Sequence, residues 1–232
     1  MNYDCKAISL LYHKYGEESI IAKIFTQEFG LKTFNIKRGR GKKSKNKISL
    51  LEKLSLINIS AKNQPKKNIQ YLSEISLAYP LKNTDLNNTL TRIFMAEILS
   101  KTLIEDEKNT SIFKFIWELT IELDNTKETD DNFCLKYLIS LTKFLGFFPS
   151  TENIEHPIFN LNNSSFTQEE RAGDITIKGD NLTYFRSLIT NKGVKIPYLN
   201  RQQLLEKIFF YYKTHHYNLD NVKSHIVIES LR

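Results

Sequence analysis

Cysteine, long apolar runs and catalytic signatures are all scarce in this chain of 232 residues. Its two cysteines, Cys5 and Cys134, are too few for a disulfide framework or a four-cysteine zinc site, and they favour a reduced, cytoplasmic compartment. No run reaches the roughly 18 apolar residues that a membrane span requires. Hydrophobic residues make up 41% and charged residues 25% of the chain, which is typical of a globular protein.

Sequence motifs of the common enzyme classes are missing as well. There is no Gly-x-x-x-x-Gly-Lys-Ser/Thr loop, no Gly-x-Gly-x-x-Gly, no Gly-x-Ser-x-Gly and no His-Glu-x-x-His. The adjacent His215 and His216 would point about 100° apart on a helix, so they cannot chelate one metal ion together. The acidic run 105–107 is expected to be a solvated corner after a helix. We therefore predict a protein that is not an enzyme and holds no metal.

Acidic residues are absent from one strongly basic stretch in the first third of the chain. Residues 1–80 contain 15 Lys or Arg and 6 Asp or Glu, a net charge of +9, whereas residues 81–232 carry a net charge of −2. Residues 32–47 hold eight basic residues and no acid. A field of this kind suits a polyanion, either nucleic acid or an acidic membrane surface, although a solvated, lysine-rich loop would have the same composition.

Short segments rich in β-branched and aromatic residues predict five strands in residues 1–80. The segments are Cys5–Tyr12, Ser19–Thr26, Leu31–Lys37, Leu50–Ala61 and Ile69–Tyr79. Their spacing predicts a small closed barrel, which could be an OB-fold or an SH3-like barrel. Aromatic residues interleave with the lysines, namely Tyr12, Tyr15, Phe25, Phe29 and Phe34. A basic barrel that exposes one or two such rings could bind single strands without sequence preference.

Apolar residues recur at helical spacing from residue 86 onward. This period predicts helices over 86–104, Ser111–Leu123, Asp131–Leu145, Arg201–His215 and Asn221–Leu231. Asp130 or Asp131 is the expected N-cap of the third helix, and Gly146 its end. Residues 150–180 are polar and irregular in pattern. The fold class predicted is α+β, a five-stranded barrel followed by an all-helical part.

Several motifs, in one order along the chain, resemble the RecO family of bacterial recombination mediators. They are Tyr15-Gly16-Glu17-Glu18-Ser19, Ile24-Phe25-Thr26, Phe29-Gly30, Lys37-Arg38-Gly39-Arg40-Gly41, Pro65-Lys66-Lys67-Asn68-Ile69, Leu138-x-x-Leu141-x-x-x-Leu145-Gly146-Phe147-x-Pro149 and Arg201-x-x-Leu204-Leu205. The resemblance implies an N-terminal OB-fold at residues 1–80, a central helical domain at 81–149 and a C-terminal region at 150–232 whose helices pack on the central ones.

The resemblance also implies a non-catalytic role in recombinational DNA repair, in the bacterial cytoplasm at the nucleoid. It implies binding of single- and double-stranded DNA, annealing of complementary strands and, together with RecR, loading of RecA onto strands coated by single-stranded DNA-binding protein. The alternative is an adaptor that uses the same basic patch for acidic membrane surfaces or acidic protein partners. The basic run lacks the Trp/Leu face of an interfacial helix, so a membrane partner is not expected.

Basic residues of the N-terminal part are the expected phosphate contacts. The candidate DNA-binding residues are Lys32, Lys37, Arg38, Arg40, Lys42, Lys43, Lys45, Lys47, Lys66 and Lys67. Lys136 and Lys143, seven residues apart on one face of the third helix, are the candidates for binding the acidic, Phe-ending tail of single-stranded DNA-binding protein.

One departure from the family concerns zinc. Many RecO-like proteins carry a four-cysteine zinc module after the central helices, but no cysteine lies between Phe148 and Phe185 here. His156 alone cannot replace four thiolates. We therefore expect no zinc and no other cofactor, and an irregular or short β-like remnant at residues 154–180.

Overall fold

The computed structural model describes residues 2–37, 48–64 and 67–230. The chain divides into two compact units, Met1–Thr129 and Asp130–Arg232. The described part of the first unit contains the strands β1 (Asn2–Tyr15), β2 (Ser19–Thr26), β3 (Gly30–Lys37), β4 (Leu56–Lys62) and β5 (Ile69–Tyr79), and the helices α1 (Leu86–Thr102) and α2 (Thr110–Asn125). The division into 1–80, 81–149 and 150–232 stays a prediction.

The five strands close into a barrel in the order β1-β2-β3-β5-β4, which confirms the α+β class and the OB-fold. β1 pairs with β4 along its first half and with β2 along its second half, and an irregularity between Ser9 and Leu11 lets it do both. β3 and β5 are parallel neighbours, which closes the barrel. Alternate residues of β2 and β3 fill the core, where Phe34 has no exposed surface.

The fourth strand is shorter than the sequence pattern suggests. β4 begins at Leu56, whereas the apolar run predicted a strand from Leu50. Leu51 and Leu54 are buried without belonging to a strand, and the positive φ of 60° at Leu54 is incompatible with a continuous one. Ser9 holds this turn, because its hydroxyl donates to the carbonyl of Leu51 and its carbonyl accepts from the amide of Leu54.

The helices α1 and α2 begin at side-chain caps. Asp85 accepts from two amides in the first turn of α1, and Asn109 accepts from the amide of Ile112 in α2. α2 packs on the barrel through Phe113, whose ring lies 5.5 Å from that of Phe25. No helix in the described part of the chain has the length and apolarity needed to cross a membrane.

The second unit contains the strands β6 (Ile158–Asn160), β7 (Ser165–Thr167) and β8 (Thr176–Lys178), and the helices α3 (Phe133–Leu145), α4 (Asp180–Ile189), α5 (Tyr198–Thr214) and α6 (Ser224–Ser230). α3 ends at Gly146, whose φ of 85° is left-handed as a glycine terminus requires. The expected cap at Asp130 or Asp131 is wrong, because the helix starts after Asn132. Asp130 instead accepts from the amide of Asn132.

Residues 154–180 form a short β-like segment, the second of the two forms expected. Three short antiparallel strands form a sheet in the order β7-β6-β8. Phe159 is fully buried at its centre, with its ring 4.9 Å from Phe166 and 4.7 Å from Phe185. Aromatic packing thus holds together the segment where the family resemblance places a zinc module, and the residues present do not supply the thiolates of such a site.

Two tyrosines of α5 tie the second unit together. The hydroxyl of Tyr212 donates to the carbonyl of Leu138 in α3 at 2.7 Å, and that of Tyr211 donates to the carbonyl of Phe147 at 2.6 Å. Both tyrosines are fully buried. One bond reaches the middle of α3 and the other reaches the chain just after it, so α5 packs on the helix that the sequence placed at the centre.

Candidate nucleic-acid interface

The predicted DNA-binding residues are only partly described by the structure. Seven of the ten lie outside the described residues, namely Arg38, Arg40, Lys42, Lys43, Lys45, Lys47 and Lys66. Lys32, Lys37 and Lys67 are described, and they occupy different environments. Their roles stay predictions, but the environments separate a lysine that already has a protein partner from two that face solvent.

Lys32 is engaged inside the protein. Its ammonium pairs with the carboxylate of Asp106, and only 11% of its side chain is exposed. The neighbouring Lys23 of β2 pairs with Glu105 at 2.9 Å, and Thr33 donates to the same carboxylate at 3.4 Å. Residues 105–107, which we call the acidic segment, are solvent-exposed as expected, and two of the three also bind lysines of the barrel.

Main-chain contacts fix the acidic segment against β3. The amide of Asp106 donates to the carbonyl of Leu31 at 3.0 Å, and Leu31 and Glu105 form a parallel bridge. Gly30 allows the approach, because a Cβ there would lie 2.0 Å from the carbonyl oxygen of Glu107. The φ of 68° at Gly30 is also left-handed, a conformation that glycine adopts without strain. Part of the outer face of β2 and β3 is therefore covered. α2 packs on Phe25, and the acidic segment lies over Lys23.

The far rows of the same outer face carry exposed groups. One row crosses the barrel from His13 through Ile21 and Asn35 to Tyr71, and the next runs from Tyr15 through Ser19 to Lys37. Side chains two residues apart in a strand share a face, and Phe34 and Ile36 point into the core, so Asn35 and Lys37 point outward. We call the exposed residues of these two rows, together with Lys67, the open face: His13, Tyr15, Lys37, Lys67 and Tyr71.

A buried glutamine positions Lys67 at the edge of the open face. The side chain of Gln70 accepts from the amide of Gln64 and donates to the carbonyls of Gln64 and Lys67, each at 2.9 Å. With 1% of its surface exposed, Gln70 ties Gln64 and Lys67 to the start of β5. The ammonium of Lys67 consequently lies 5.9 Å from the ring centroid of Tyr71.

The open face coincides with the region where the fold binds nucleic acid in other proteins. OB-folds bind oligonucleotides on the face of strands 2 and 3 and on the loops that join strands 1 to 2 and 4 to 5. Here Tyr15 leads into the first of these loops and Lys67 leaves the second. Lys37 ends β3, and the next ten residues are the most basic part of the sequence. Cations and aromatic rings therefore meet at one end of the barrel.

A cavity of about 580 Å³ lies in the same unit, on the side of α1. Tyr12, Leu77, Tyr79 and Arg92 are among its lining residues. The guanidinium of Arg92 donates to the carbonyl of Asn83 and the hydroxyl of Thr89, and burial lowers its pKa. Tyr12 therefore faces this cavity and does not belong to the open face.

The two candidate lysines for a partner tail lie on α3 in the second unit. Lys136 pairs with Asp130 at 2.5 Å, and the ammonium of Lys143 lies 4.7 Å above the ring of Phe148. Both already have a partner within the chain, and their role stays a prediction.

Reactive cysteines and metal-binding clusters do not emerge from the described residues. Burial raises the pKa of the Cys5 thiol to about 11, which keeps it protonated at neutral pH, and Cys134 is buried on α3. In residues 2–37, 48–64 and 67–230, no three His, Cys, Asp or Glu side chains lie close enough together to hold a metal ion.

Comparison with known proteins extends over both units. Residues 1–81 match the family model described as Recombination protein O N terminal. The DNA repair protein RecO of Flavobacterium psychrophilum is 32% identical over 239 residues, which cover 100% of this chain and 98% of the relative. That of Flavobacterium johnsoniae is 29% identical over 93% and 92% of the two chains. That of Azobacteroides pseudotrichonymphae is 27% identical over 100% and 99%.

Proposed function

Because the chain belongs to the RecO family of DNA repair and recombination proteins, we propose that it is a non-catalytic protein that binds single- and double-stranded DNA. The observation that carries this proposal is the open face, where Lys37, Lys67 and two exposed tyrosines meet at the barrel end from which the basic stretch departs. Cations bind phosphates of any sequence, so affinity would depend on salt more than on sequence.

The finer part of the proposal is strand annealing and assembly. Two DNA strands on one basic surface repel each other less than they do in solution, and base pairing then joins them. With RecR, the protein would help to load RecA onto strands coated by single-stranded DNA-binding protein, in the bacterial cytoplasm at the nucleoid. What supports this is family membership together with the charge of the first 80 residues.

Phosphate contacts are proposed to come from Lys37 and Lys67, and from Arg38, Arg40, Lys42, Lys43, Lys45, Lys47 and Lys66 on sequence grounds alone. Lys32 is proposed to contribute less than the others, because the acidic segment already neutralises it. Lys136 and Lys143 are proposed to attract the acidic tail of single-stranded DNA-binding protein. Titration calorimetry with an acidic, Phe-ending peptide tests them, and wild-type affinity in K136Q/K143Q would exclude this assignment.

The DNA-binding proposal is tested by a salt series. The affinity of Lys37→Gln and Lys67→Gln for a single-stranded oligonucleotide is measured by fluorescence anisotropy between low and moderate salt. Each substitution should reduce the slope of log K against log salt by about 0.7, because one phosphate contact is lost. Lys114→Gln is the control, because it removes the same charge from a side chain on α2 that is 75% exposed and does not belong to the open face.

An equal change of slope in K37Q, K67Q and K114Q would contradict the site, since it would reflect net charge alone. Vesicles with anionic lipids are the parallel ligand in the same salt series. Binding to vesicles but not to DNA would support the adaptor alternative and overturn the DNA-binding proposal.

A further inference from the structure

Aromatic rings on the barrel divide into a buried set and an exposed set. Phe25 and Phe34 have no exposed surface, so two of the rings that interleave with lysines in the sequence belong to the packing of the barrel. Three tyrosines are exposed instead, Tyr12 by 40%, Tyr15 by 64% and Tyr71 by 49%. Each of these three side chains is therefore accessible to a ligand.

Charge distinguishes the three exposed tyrosines. Tyr12 lines the cavity near α1, where Glu52 offsets part of the charge of Lys53 and Arg92. The Arg92 guanidinium already donates within the chain, so it is less available to a phosphate. Tyr15 precedes Glu17 and Glu18 in the turn between β1 and β2, and their carboxylates repel a phosphate chain. Tyr71 has the ammonium of Lys67 over its ring, and it is paired with Asn35, two residues before Lys37. A polyanion is therefore attracted to Tyr71 more than to the other two rings.

The surroundings of Tyr71 are ordered before any ligand arrives. The ring belongs to β5, which hydrogen-bonds to both β3 and β4. Ile69, two residues earlier on the same face, is 45% exposed and enlarges the apolar surface. Gln70, between the two, is buried and fixes the turn that carries Lys67. A rigid aromatic platform with a positioned cation loses little conformational entropy on binding.

We propose that Tyr71 is a stacking site for an unpaired nucleobase, and that Lys67 moves from the ring to the phosphate beside that base. This inference rests on the DNA-binding function proposed above and assigns the part of the ligand that Tyr71 recognises. The exposed cation–π contact of Lys67 is weak, so a base that stacks on the ring and a phosphate that binds the ammonium together replace it. Bases inside a duplex are stacked on one another, so Tyr71 favours single strands.

Tyr71→Ala tests the stacking site with three ligands of equal length: a thymidine oligonucleotide, an abasic oligonucleotide and a duplex. The thymidine strand should lose roughly 5- to 100-fold in affinity, the range expected when one base–aromatic stack is removed. Affinity for the abasic strand and the duplex should stay within about twofold of wild type. The slope against salt should not change, whereas Lys67→Gln should reduce it for all three ligands.

Matched variants distinguish the loss of the Tyr71 ring from misfolding of the barrel. Tyr71→Phe keeps the ring and should bind like wild type, whereas Tyr71→Val suits the strand but removes the ring and should bind like Y71A. Tyr12→Ala removes an exposed tyrosine outside the open face and should bind like wild type. Equal losses for thymidine and abasic strands, or no loss in Y71A and Y71V, would overturn the stacking site while leaving DNA binding intact. Failure of the wild type to bind any of the three ligands would instead overturn the proposed function itself.

Discussion

The ion pair between Lys32 and Asp106 should matter more for stability than its neighbour between Lys23 and Glu105. The side chain of Lys32 is 11% exposed, whereas that of Lys23 is 35% exposed. Asp106→Asn leaves an almost buried ammonium without its counter-charge, and removing one partner of a fully buried pair costs about 3–5 kcal/mol. Because water can still reach the Lys32 side chain in part, we expect D106N to lower the free energy of unfolding by about 2–3 kcal/mol. Glu105→Gln should cost about 1 kcal/mol or less.

The substitution at Asp106 isolates charge from backbone effects. Asp106 has a φ of 66°, and asparagine tolerates this left-handed conformation as well as aspartate does. The two partners of the pair also differ in exposure, which gives a second expectation. The Asp106 carboxylate is 64% exposed, so water can hydrate it when Lys32 is removed. Lys32→Met should therefore cost less than D106N, and K32M/D106N should be more stable than D106N alone.

Urea unfolding followed by the fluorescence of Trp117 measures these differences. Trp117 is the single tryptophan of the chain and belongs to α2, so it reports on the first unit. Glu118→Gln on the same helix removes an equal charge from an exposed pair and should leave the midpoint almost unchanged. The reasoning about Lys32 would be refuted by equal midpoints for D106N and E105Q, or by a double variant no more stable than D106N.

Three further predictions concern the second unit, with hydrogen exchange of its peptides as the common measurement. Gly146→Ala should destabilise α3 by about 1 kcal/mol, because alanine is strained at a φ of 85°, and unchanged protection there would contradict this. Tyr212→Phe leaves the Leu138 carbonyl without its 2.7 Å donor and should cost about 1–3 kcal/mol, whereas Tyr184→Phe on α4 serves as the control. Burial lowers the pKa of His215, so the unfolded state binds its proton first as the pH falls. Stability of this unit should therefore be complete above about pH 6.5 and decline below it, and the decline should be smaller in His215→Gln.

Much of the barrel could be predicted from local pattern. β5 has the bounds that the sequence indicated, and β2 does as well, because alternating apolar residues bounded by turn residues report a strand directly. Leu51 and Leu54 made the predicted β4 too long, since a buried turn has the same composition as a buried strand. The helix α4 was not predicted, although Leu182, Phe185 and Leu188 follow a helical period.

The candidate site could be predicted less well from the sequence, because contacts between residues far apart in the chain decide which side chains belong to it. Thr33 and Glu105 are 72 residues apart, and no local pattern indicates that the acidic segment lies against β3. The same limit applies to Tyr71, which stands outside the run of lysines and aromatics in residues 12–40. Exposure of a ring is decided by the barrel as a whole, and the alternation within β5 could have indicated only which face Tyr71 shares with Ile69.

The cover over Phe25 has a consequence for the order in which the chain can fold during synthesis. Phe25 lies on the outer face of the barrel, yet it is fully buried because Phe113 of α2 packs on it. All five strands leave the ribosome before α2 does, so the nascent barrel passes through a stage with complete strands and an apolar outer face open to water. A fragment that ends at residue 81 would remain at that stage. A fragment that ends at Thr129 would include α2 and would therefore cover Phe25 itself. We expect this longer fragment to stay monomeric, unlike the fragment that ends at residue 81.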